Sequence, residues 1–329
     1  MNNWIALCLL SFALSFFLSR IIIQLLGKRL MDIPSDRSSH NLPTPRGGGI
    51  AIVTAIILIS AGAGVYGSAL PWAPLILFTL IAILGALDDF MSLSVRVRLL
   101  IQFFLSLIAV MICVHELNNL DVGMIALSGL CVIALVWQCN LYNFMDGING
   151  IATIQAICVC LMMGIFLHQT NNNPAIVKLL VITGMACAGF LYWNFPNARI
   201  FMGDTGSLFL GFIFGFAAIK TSIGSIDIAA AWLISMAVFI VDATYTLSIR
   251  LLTGQKFYLP HRSHSYQKLA LKLNSHTKAT SLVCLVNIGW LFPIALLMMR
   301  GILNPFVALI LAYTPLMIIA IKLKAGRPN

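Results

Sequence analysis

Four aspartates stand in three short polar segments, and each segment borders an apolar stretch: Asp88 with Asp89, then Asp146, then Asp204. Acidic side chains are costly at the edge of a lipid bilayer, so their repeated placement there indicates a built site. Carboxylate oxygens are ligands that Mg²⁺ prefers, and a carboxylate can also accept the proton of an attacking oxygen. The pattern predicts a cation-dependent active centre for an anionic substrate.

The adjacent pair Asp88 and Asp89 directly follows an apolar run. Neighbouring carboxylates repel each other, so we expect one of them to hold a proton or a cation. Arg96 and Arg98 follow in the same loop, where their guanidinium groups could bind phosphate. The alternative is a solvated helix end without a chemical role.

A richer segment contains Asn140, Asn143 and Asp146 at three-residue spacing, followed by Asn149. A continuing helix would place the first three side chains near one face, where their oxygens could bind a hard cation. Asn and Asp are also ordinary capping and turn residues. Capping would explain one or two of these residues but not the whole run.

Residues 201–207 precede another apolar stretch and contain Asp204 and Thr205 between glycines. Either residue is a good helix N-cap, which is the simpler interpretation. A glycine-rich helix N-terminus also attracts phosphate. In that case Asp204 would be a metal ligand beside the phosphate.

A later polar segment contains His261, Arg262 and His264. The two histidines could face one ligand if the segment were helical, and Arg262 offers a rigid fork that suits a diphosphate. A zinc site is less expected, because neither a Cys nor a third converging His accompanies them. The alternative is a basic loop without a specific ligand.

Membrane-spanning helices are the elements that must position these residues. Mean hydropathy is +0.98 and only 9% of the residues are charged, whereas soluble domains carry about 25%. Helices satisfy their own backbone polar groups in lipid. The sequence therefore predicts an all-α polytopic membrane protein with about eleven spans, or ten, in one domain over residues 1–329. The predicted spans are 3–25, 47–66, 72–87, 99–114, 124–143, 148–168, 175–193, 207–222, 228–249, 279–299 and 305–321.

The basic residues give the orientation of these spans. With the N-terminus outside, only Lys178, Lys220 and Arg300 of the twenty Lys and Arg lie outside, as the positive-inside rule requires. The C-terminus and the polar segments then face the cytoplasm, where the net charge of +10 suits anionic lipid and anionic substrates. No pattern indicates nucleic-acid binding. The predicted cytoplasmic loops are about 27–46, 88–98, 144–147, 194–206 and 250–278.

Taken in order, these motifs resemble those of the polyprenyl-phosphate N-acetylhexosamine-1-phosphate transferase family, of the glycosyltransferase 4 type. The resemblance covers about residues 30–270, and the form of residues 261–267 looks most like the O-antigen-initiating members. Two positions depart from the family pattern. Asn149 stands where many members have Asp, and Arg96 or Arg98 stands where many have Lys.

The resemblance implies a reaction in which a UDP-N-acetylhexosamine donates its sugar 1-phosphate to undecaprenyl phosphate and releases UMP. This step would initiate O-antigen or another cell-envelope glycan. The resemblance also implies Mg²⁺ as cofactor, with Mn²⁺ as an alternative, and a homodimer in the bacterial inner membrane with its active site facing the cytoplasm. It leaves open which sugar is transferred and whether transfer takes one step or two.

Our hypothesis for the catalytic residues combines the resemblance with their chemistry. Asp204 is expected to be the principal Mg²⁺ ligand, with assistance from Asn143 or Asp89. Asp88 is expected to orient the lipid phosphate or to accept its proton. Asp146 is expected to belong to the catalytic polar network.

Substrate contacts follow from the same resemblance. Phe201 is expected to stack on uracil, and Asn149 is expected to hydrogen-bond the base. The remaining expected substrate-binding residues are Asn140, Arg96, Arg98, His261, Arg262 and His264.

A secondary transporter or channel is the main alternative, with Asp242 as a coupling charge inside a span. Transporters usually place such groups near the bilayer midplane on broken helices, whereas the aspartates here cluster at span ends. A catalytically silent scaffold is a further alternative. Asp32 and Asp36 are interpreted as loop or capping residues because arginines surround them.

Overall fold

The computed structural model describes residues 2–26, 31–32, 43–65, 71–115, 122–256, 259 and 261–328, and Asp36 lies outside them. It confirms an all-α polytopic membrane protein, because each predicted apolar run corresponds to a helical segment. The helices are α1 (Asn2–Leu26), α2 (Gly49–Val65), α3 (Trp72–Met91), α4 (Val95–Val114), α5 (Val122–Phe144), α6 (Ile151–Gln169), α7 (Pro174–Asn194), α8 (Gly203–Ser222), α9 (Ile226–Ser235), α10 (Ala237–Leu252), α11 (Ser265–Lys272), α12 (His276–Val286), α13 (Phe292–Met299) and α14 (Pro305–Lys322).

The number of candidate spans reaches the lower of the two predicted counts, ten. Within the described residues, nine helices are long and apolar enough to cross a membrane, and the bent pair α9 and α10 raises the number to ten. Our count of eleven included α2, whose apolar part is shorter than a typical span. The predicted span 228–249 is not straight, since α9 and α10 meet at 70°. A π-helical turn, Asn287–Leu291, interrupts another span between α12 and α13.

The centre of the bundle is α8, which packs against α3 and α5 and also contacts α2, α4 and α9. Aromatic side chains form much of this packing, with rings meeting edge to face as their charge distribution favours. Burial of α8 among these neighbours holds its N-terminus at Gly203 in a fixed place. The rings that meet are Phe78 of α3 with Phe209, Phe212 and Phe216 of α8.

A short antiparallel pairing of β1 (Met31–Asp32) with β2 (Thr44–Pro45) lies beside the start of α8. The Gly48 N–H donates to the Phe201 carbonyl at 2.9 Å, which fastens the start of α2 to the chain that leads into α8. This connection brings Arg46 beside the polar ends of α3, α5 and α8.

Candidate active site

The ends of several helices enclose a polar cavity of about 270 Å³. Residues far apart in the chain meet there, as expected for polar segments that all end spans on one face. The predicted site residues that line the cavity are Asp89, Asn143, Asp146, Asn149, Phe201 and Asp204.

Asp89 caps the N-terminus of α8. Its Oδ1 accepts the Asp204 N–H at 2.9 Å, and its Oδ2 accepts the N–H and the hydroxyl of Thr205 at 2.9 and 2.7 Å. A carboxylate is favourable there because the first N–H groups of a helix are unpaired and carry partial positive charge. Gly203 has a φ of 74°, and a Cβ on it would lie 2.7 Å from the Asp89 carboxylate, so glycine is required. Both oxygens of Asp89 thus hold α8 in place.

Asp204, the second residue of α8, extends from this cap into the cavity. Its Oδ1 accepts Asn143 Nδ2 at 2.7 Å, and its Oδ2 accepts Arg98 Nη1 at 3.2 Å. Asn143 Nδ2 also donates to Ser207 Oγ at 2.9 Å. The Asp204 side chain keeps 30% exposure, so the carboxylate is oriented and still open to a ligand.

Asp88 is not among the residues that line the cavity. Its side chain is 5% exposed, it pairs with Arg98, and its Oδ1 accepts the Leu93 N–H at 2.8 Å. Arg98 therefore bridges Asp88 and Asp204, whereas Arg96 is exposed. Of the two arginines that the sequence left equivalent, the structure brings Arg98 into the site.

Asp146 lies in the turn between α5 and α6. Burial raises the pKa of its carboxyl well above the ordinary value, and the negative charges of Asp204 and Asp89 raise that pKa further. A carboxyl group with a raised pKa exchanges a proton readily near neutral pH. Asp146 therefore holds its proton to a higher pH than an ordinary aspartate, and it is one group of the cavity that could take part in proton transfer.

Asn149 and Phe201 occupy another part of the cavity wall. Asn149 Nδ2 donates to the Pro196 carbonyl at 3.0 Å, and its Oδ1 lies 3.3 Å from Nδ1 of His276. The Phe201 N–H donates to the Pro45 carbonyl at 2.8 Å. The backbone of Phe201 and the amide of Asn149 are thus held in defined orientations.

Several lining residues were missed from the sequence. Asp32 and Arg46 form an ion pair at 2.9 Å in the cavity wall, so Asp32 is not merely a loop or capping residue. The three glycines after Arg46 were an available signal, since they permit close backbone approach to a ligand. Gln267 and His276 also line the cavity; Gln267 belongs to the 261–267 motif but was not assigned to the site, and no local motif marks His276.

The structure does not bring His261, Arg262 or His264 into this cavity. Helix α11 begins only after them, so the two histidines do not share a helical face; instead their rings stack at 4.9 Å. Burial, together with the nearby charges of His264 and Arg250, lowers the pKa of His261 to about 3. His261 is consequently neutral near pH 7 and provides no cationic clamp in this arrangement.

Asn140 also lies away from the cavity. Its Nδ2 donates to Gln102 Oε1 of α4 at 2.6 Å and to the Val136 carbonyl at 2.8 Å. The side chain is buried between α4 and α5, where it donates to the oxygen of another buried amide. Its place in the structure is a contact between helices.

The donor set suits an Mg²⁺ ion that is held mainly by one carboxylate. No three His, Cys, Asp or Glu side chains converge as a metal site within the described part of the chain. Mg²⁺ commonly binds one or two protein carboxylates and takes its other oxygens from water and substrate phosphates. The open carboxylate of Asp204, near Asp146, fits that mode of binding.

Comparisons with known proteins agree on one family. Residues 71–222, which span α3 to α8, match glycosyl transferase family 4. A Bacillus subtilis protein named as a probable undecaprenyl-phosphate N-acetylglucosaminyl 1-phosphate transferase is 28% identical over 303 residues, which cover 86% of this chain and 83% of that protein. The decaprenyl-phosphate N-acetylglucosaminephosphotransferase of Mycolicibacterium smegmatis is 29% identical over 293 residues, 77% and 71% of the two chains. The phospho-N-acetylmuramoyl-pentapeptide-transferase of Campylobacter jejuni is 26% identical over 254 residues, 66% and 71%.

Proposed function

We propose that this chain, whose residues 71–222 match glycosyl transferase family 4, transfers a sugar 1-phosphate from a nucleotide sugar to a polyprenyl phosphate. The proposed donor is a UDP-N-acetylhexosamine, and the proposed acceptor is undecaprenyl phosphate. The observation that carries the proposal is the polar cavity at the helix ends, with an open carboxylate on the N-terminus of α8.

The reaction must bring two anions together, and the cavity supports it because its groups offset their repulsion. The phosphate of a membrane lipid stays at headgroup level, and the cavity is built from the ends of spans at that level. The N-terminus of α8 and the guanidinium groups of Arg46 and Arg98 supply positive charge. Mg²⁺ bound at Asp204 would neutralise the donor diphosphate and stabilise the leaving phosphate.

The proposed reaction makes one bond and breaks one bond. An oxygen of the lipid phosphate bonds to the β-phosphorus of the donor, and the bond from that phosphorus to the bridging oxygen breaks, which releases UMP. Asp146 accepts the proton of the lipid phosphate where that phosphate is protonated. Arg98 and Asn143 keep Asp204 oriented, and Asp88 acts through Arg98.

Nucleotide recognition is proposed for Phe201 and Asn149, which line the same cavity. Phe201 would stack on uracil, and Asn149, held by Pro196 and His276, would hydrogen-bond the base. N-acetylglucosamine is the first sugar to test, because the Bacillus subtilis and Mycolicibacterium smegmatis relatives are named for it. Initiation of O-antigen or another envelope glycan, a cytoplasmic-facing site in the inner membrane and a homodimer complete the proposal.

The test is UMP release by the purified protein in lipid nanodiscs that contain undecaprenyl phosphate, with Mg²⁺ and a panel of UDP-N-acetylhexosamines. We expect release with at least one donor, only when the lipid phosphate is present. Asp204→Asn should lower the rate by on the order of 10²–10³-fold, because it removes a charge that orders the reacting phosphates. Asp227→Asn, an exposed aspartate beyond the far end of α8, should leave the rate unchanged. Substrate-dependent ion flux without UMP release would overturn the proposal in favour of a transporter.

A further inference from the structure

Asp242 is a buried carboxylate of α10 that caps a different helix. It is 5% exposed, its Oδ1 accepts the Ser265 N–H at 2.7 Å, and its Oδ2 accepts the Tyr266 N–H at 2.8 Å. These two residues begin α11, so the carboxylate satisfies the unpaired N–H groups of that helix. Thr246 Oγ1 donates to Oδ1 at 3.1 Å, and His264 Nδ1 lies 3.4 Å from the same oxygen. Both oxygens of the Asp242 carboxylate are therefore in contact with polar groups of the protein.

Tyr266 connects this cap to the cavity. Its hydroxyl donates at 3.0 Å to the carbonyl of Phe144, the last residue of α5, shortly before Asp146. A Cβ on Gly147 would lie 2.1 Å from the Tyr266 hydroxyl oxygen, so the loop and the hydroxyl are in tight contact. Gln267, the next residue of α11, lines the cavity itself. The start of α11 thus supports the loop that carries Asp146.

A buried polar cluster stabilises the bend that directs α10 toward α11. At the junction of α9 and α10, Gln155 Nε2 of α6 donates to the Ser235 carbonyl at 2.8 Å. Asn287 Nδ2 donates to Gln155 Oε1 at 2.9 Å, and both amide side chains are almost completely buried. Buried amides in a membrane protein need such partners, and a helix break needs a donor for its carbonyl. The cluster fixes the direction of α10 and hence the place of Asp242.

We propose that Asp242 is a positioning residue for the transfer reaction: through Tyr266 and Gly147 it sets the place of Asp146 in the cavity. This inference rests on the proposed function for its kinetic readout, while its structural link is independent of that function. It also explains why a carboxylate, costly inside a span, is present in α10. Asp242 serves a helix end that supports the active site.

The kinetic test is a double-mutant cycle in the full-length protein in nanodiscs. Asp242→Asn leaves one acceptor oxygen for two N–H donors, and Tyr266→Phe removes the hydroxyl. Each change should lower kcat by about 10- to 100-fold with KM for the donor within about twofold, because Asp146 is displaced while the nucleotide wall is intact. The double variant should be no slower than Asp242→Asn alone, since both changes break one connection. Tyr245→Phe is the control, because Tyr245 is a half-buried tyrosine on α10, the helix that carries Asp242. Its kcat and KM should match those of the wild type.

Hydrogen exchange supplies the structural arm of the test. Asp242→Asn and Tyr266→Phe should both speed exchange in residues 144–150, and exchange in residues 4–25 should be unchanged. Additive losses of kcat, or unchanged exchange in residues 144–150, would overturn the positioning role. If the wild type releases no UMP with any donor, the proposed function fails, and hydrogen exchange alone decides whether Asp242 orders the Asp146 loop.

Discussion

Two helix N-termini in this protein are capped by a carboxylate from a different membrane helix. Asp89 of α3 accepts the first N–H groups of α8, and Asp242 of α10 accepts the first N–H groups of α11. The bond lengths are nearly the same, from 2.7 to 2.9 Å. In both cases the carboxylate comes from a distant part of the chain, so the contact depends on the packing of different helices.

The two caps differ in how close they lie to the cavity. Asp89 lines the cavity, and the residue that it places, Asp204, keeps 30% exposure and can meet a ligand directly. Asp242 is 5% exposed and is connected to the cavity through α11, whose Tyr266 hydroxyl contacts the loop before Asp146. The same local chemistry therefore places a ligand-binding group in one region and supports a loop from behind in the other. Substitutions at the first cap should cost more activity than those at the second.

The largest effect should come from Asp89→Asn. The amide offers one acceptor oxygen where the carboxylate accepts three donors, and its NH₂ group would face the N–H groups of α8. We expect UMP release to fall by on the order of 10²–10³-fold, because Asp204 loses its fixed position. The measurement is the steady-state rate of UMP release by Asp89→Asn and by Asp242→Asn in the same assay. An equal or larger loss of rate in Asp242→Asn would contradict the distinction between direct placement of Asp204 and indirect support of the Asp146 loop.

An intermediate effect is expected from Gly147→Ala, because the new methyl group would meet the Tyr266 hydroxyl at 2.1 Å. Overpacking of this kind costs about 1–3 kcal/mol, so both the unfolding temperature and the rate should fall. Adding Tyr266→Phe removes the clashing oxygen and should restore part of the thermal stability lost in Gly147→Ala. Differential scanning fluorimetry of the two variants measures this. A double variant less stable than Gly147→Ala would show that the contact is not limiting.

The smallest effect concerns the stability cost of Asp146. Its pKa is raised in the folded protein, so ionisation disfavours folding as the pH rises above the ordinary value of 3.8. Asp146→Asn avoids this cost, and its unfolding temperature should exceed that of the wild type by an amount that grows between about pH 5 and 8. The test is thermal unfolding measured without substrate or divalent cations, so that no bound cation offsets the charge of Asp146. A difference that stays constant or shrinks with pH would contradict the raised pKa.

Local patterns in the sequence predicted the helices and much of the cavity, because hydropathy reports burial in lipid and the polar motifs mark span ends. Asn140 does not line the cavity, because three-residue steps along a helix rotate the side chain by about 60° each, and its amide contacts Gln102 of α4. The shared helical face considered for His261 and His264 is absent because α11 begins after them. The place of His276 follows from the packing of α12 and has no local signal in the chain.

The capping roles of Asp89 and Asp242 could not be predicted for the same reason. A cap within one segment appears as a short sequence pattern, but these carboxylates lie 115 and 23 residues from the first N–H groups that they accept. Only the packing of α3 on α8 and of α10 on α11 brings them together. The adjacent acids at Asp88 and Asp89 looked like a catalytic pair, and the structure divides them between Arg98 and a helix end.

The most direct test of the central claim follows the β-phosphate of the donor. The purified protein would be given UDP-N-acetylglucosamine radiolabelled at that phosphate, together with undecaprenyl phosphate and Mg²⁺, and the label would be measured in the lipid extract and in water. We predict label in the lipid product, one UMP for each labelled lipid, and neither product with Asp204→Asn. Label that stays in water as UDP or free phosphate while the sugar is consumed would contradict it.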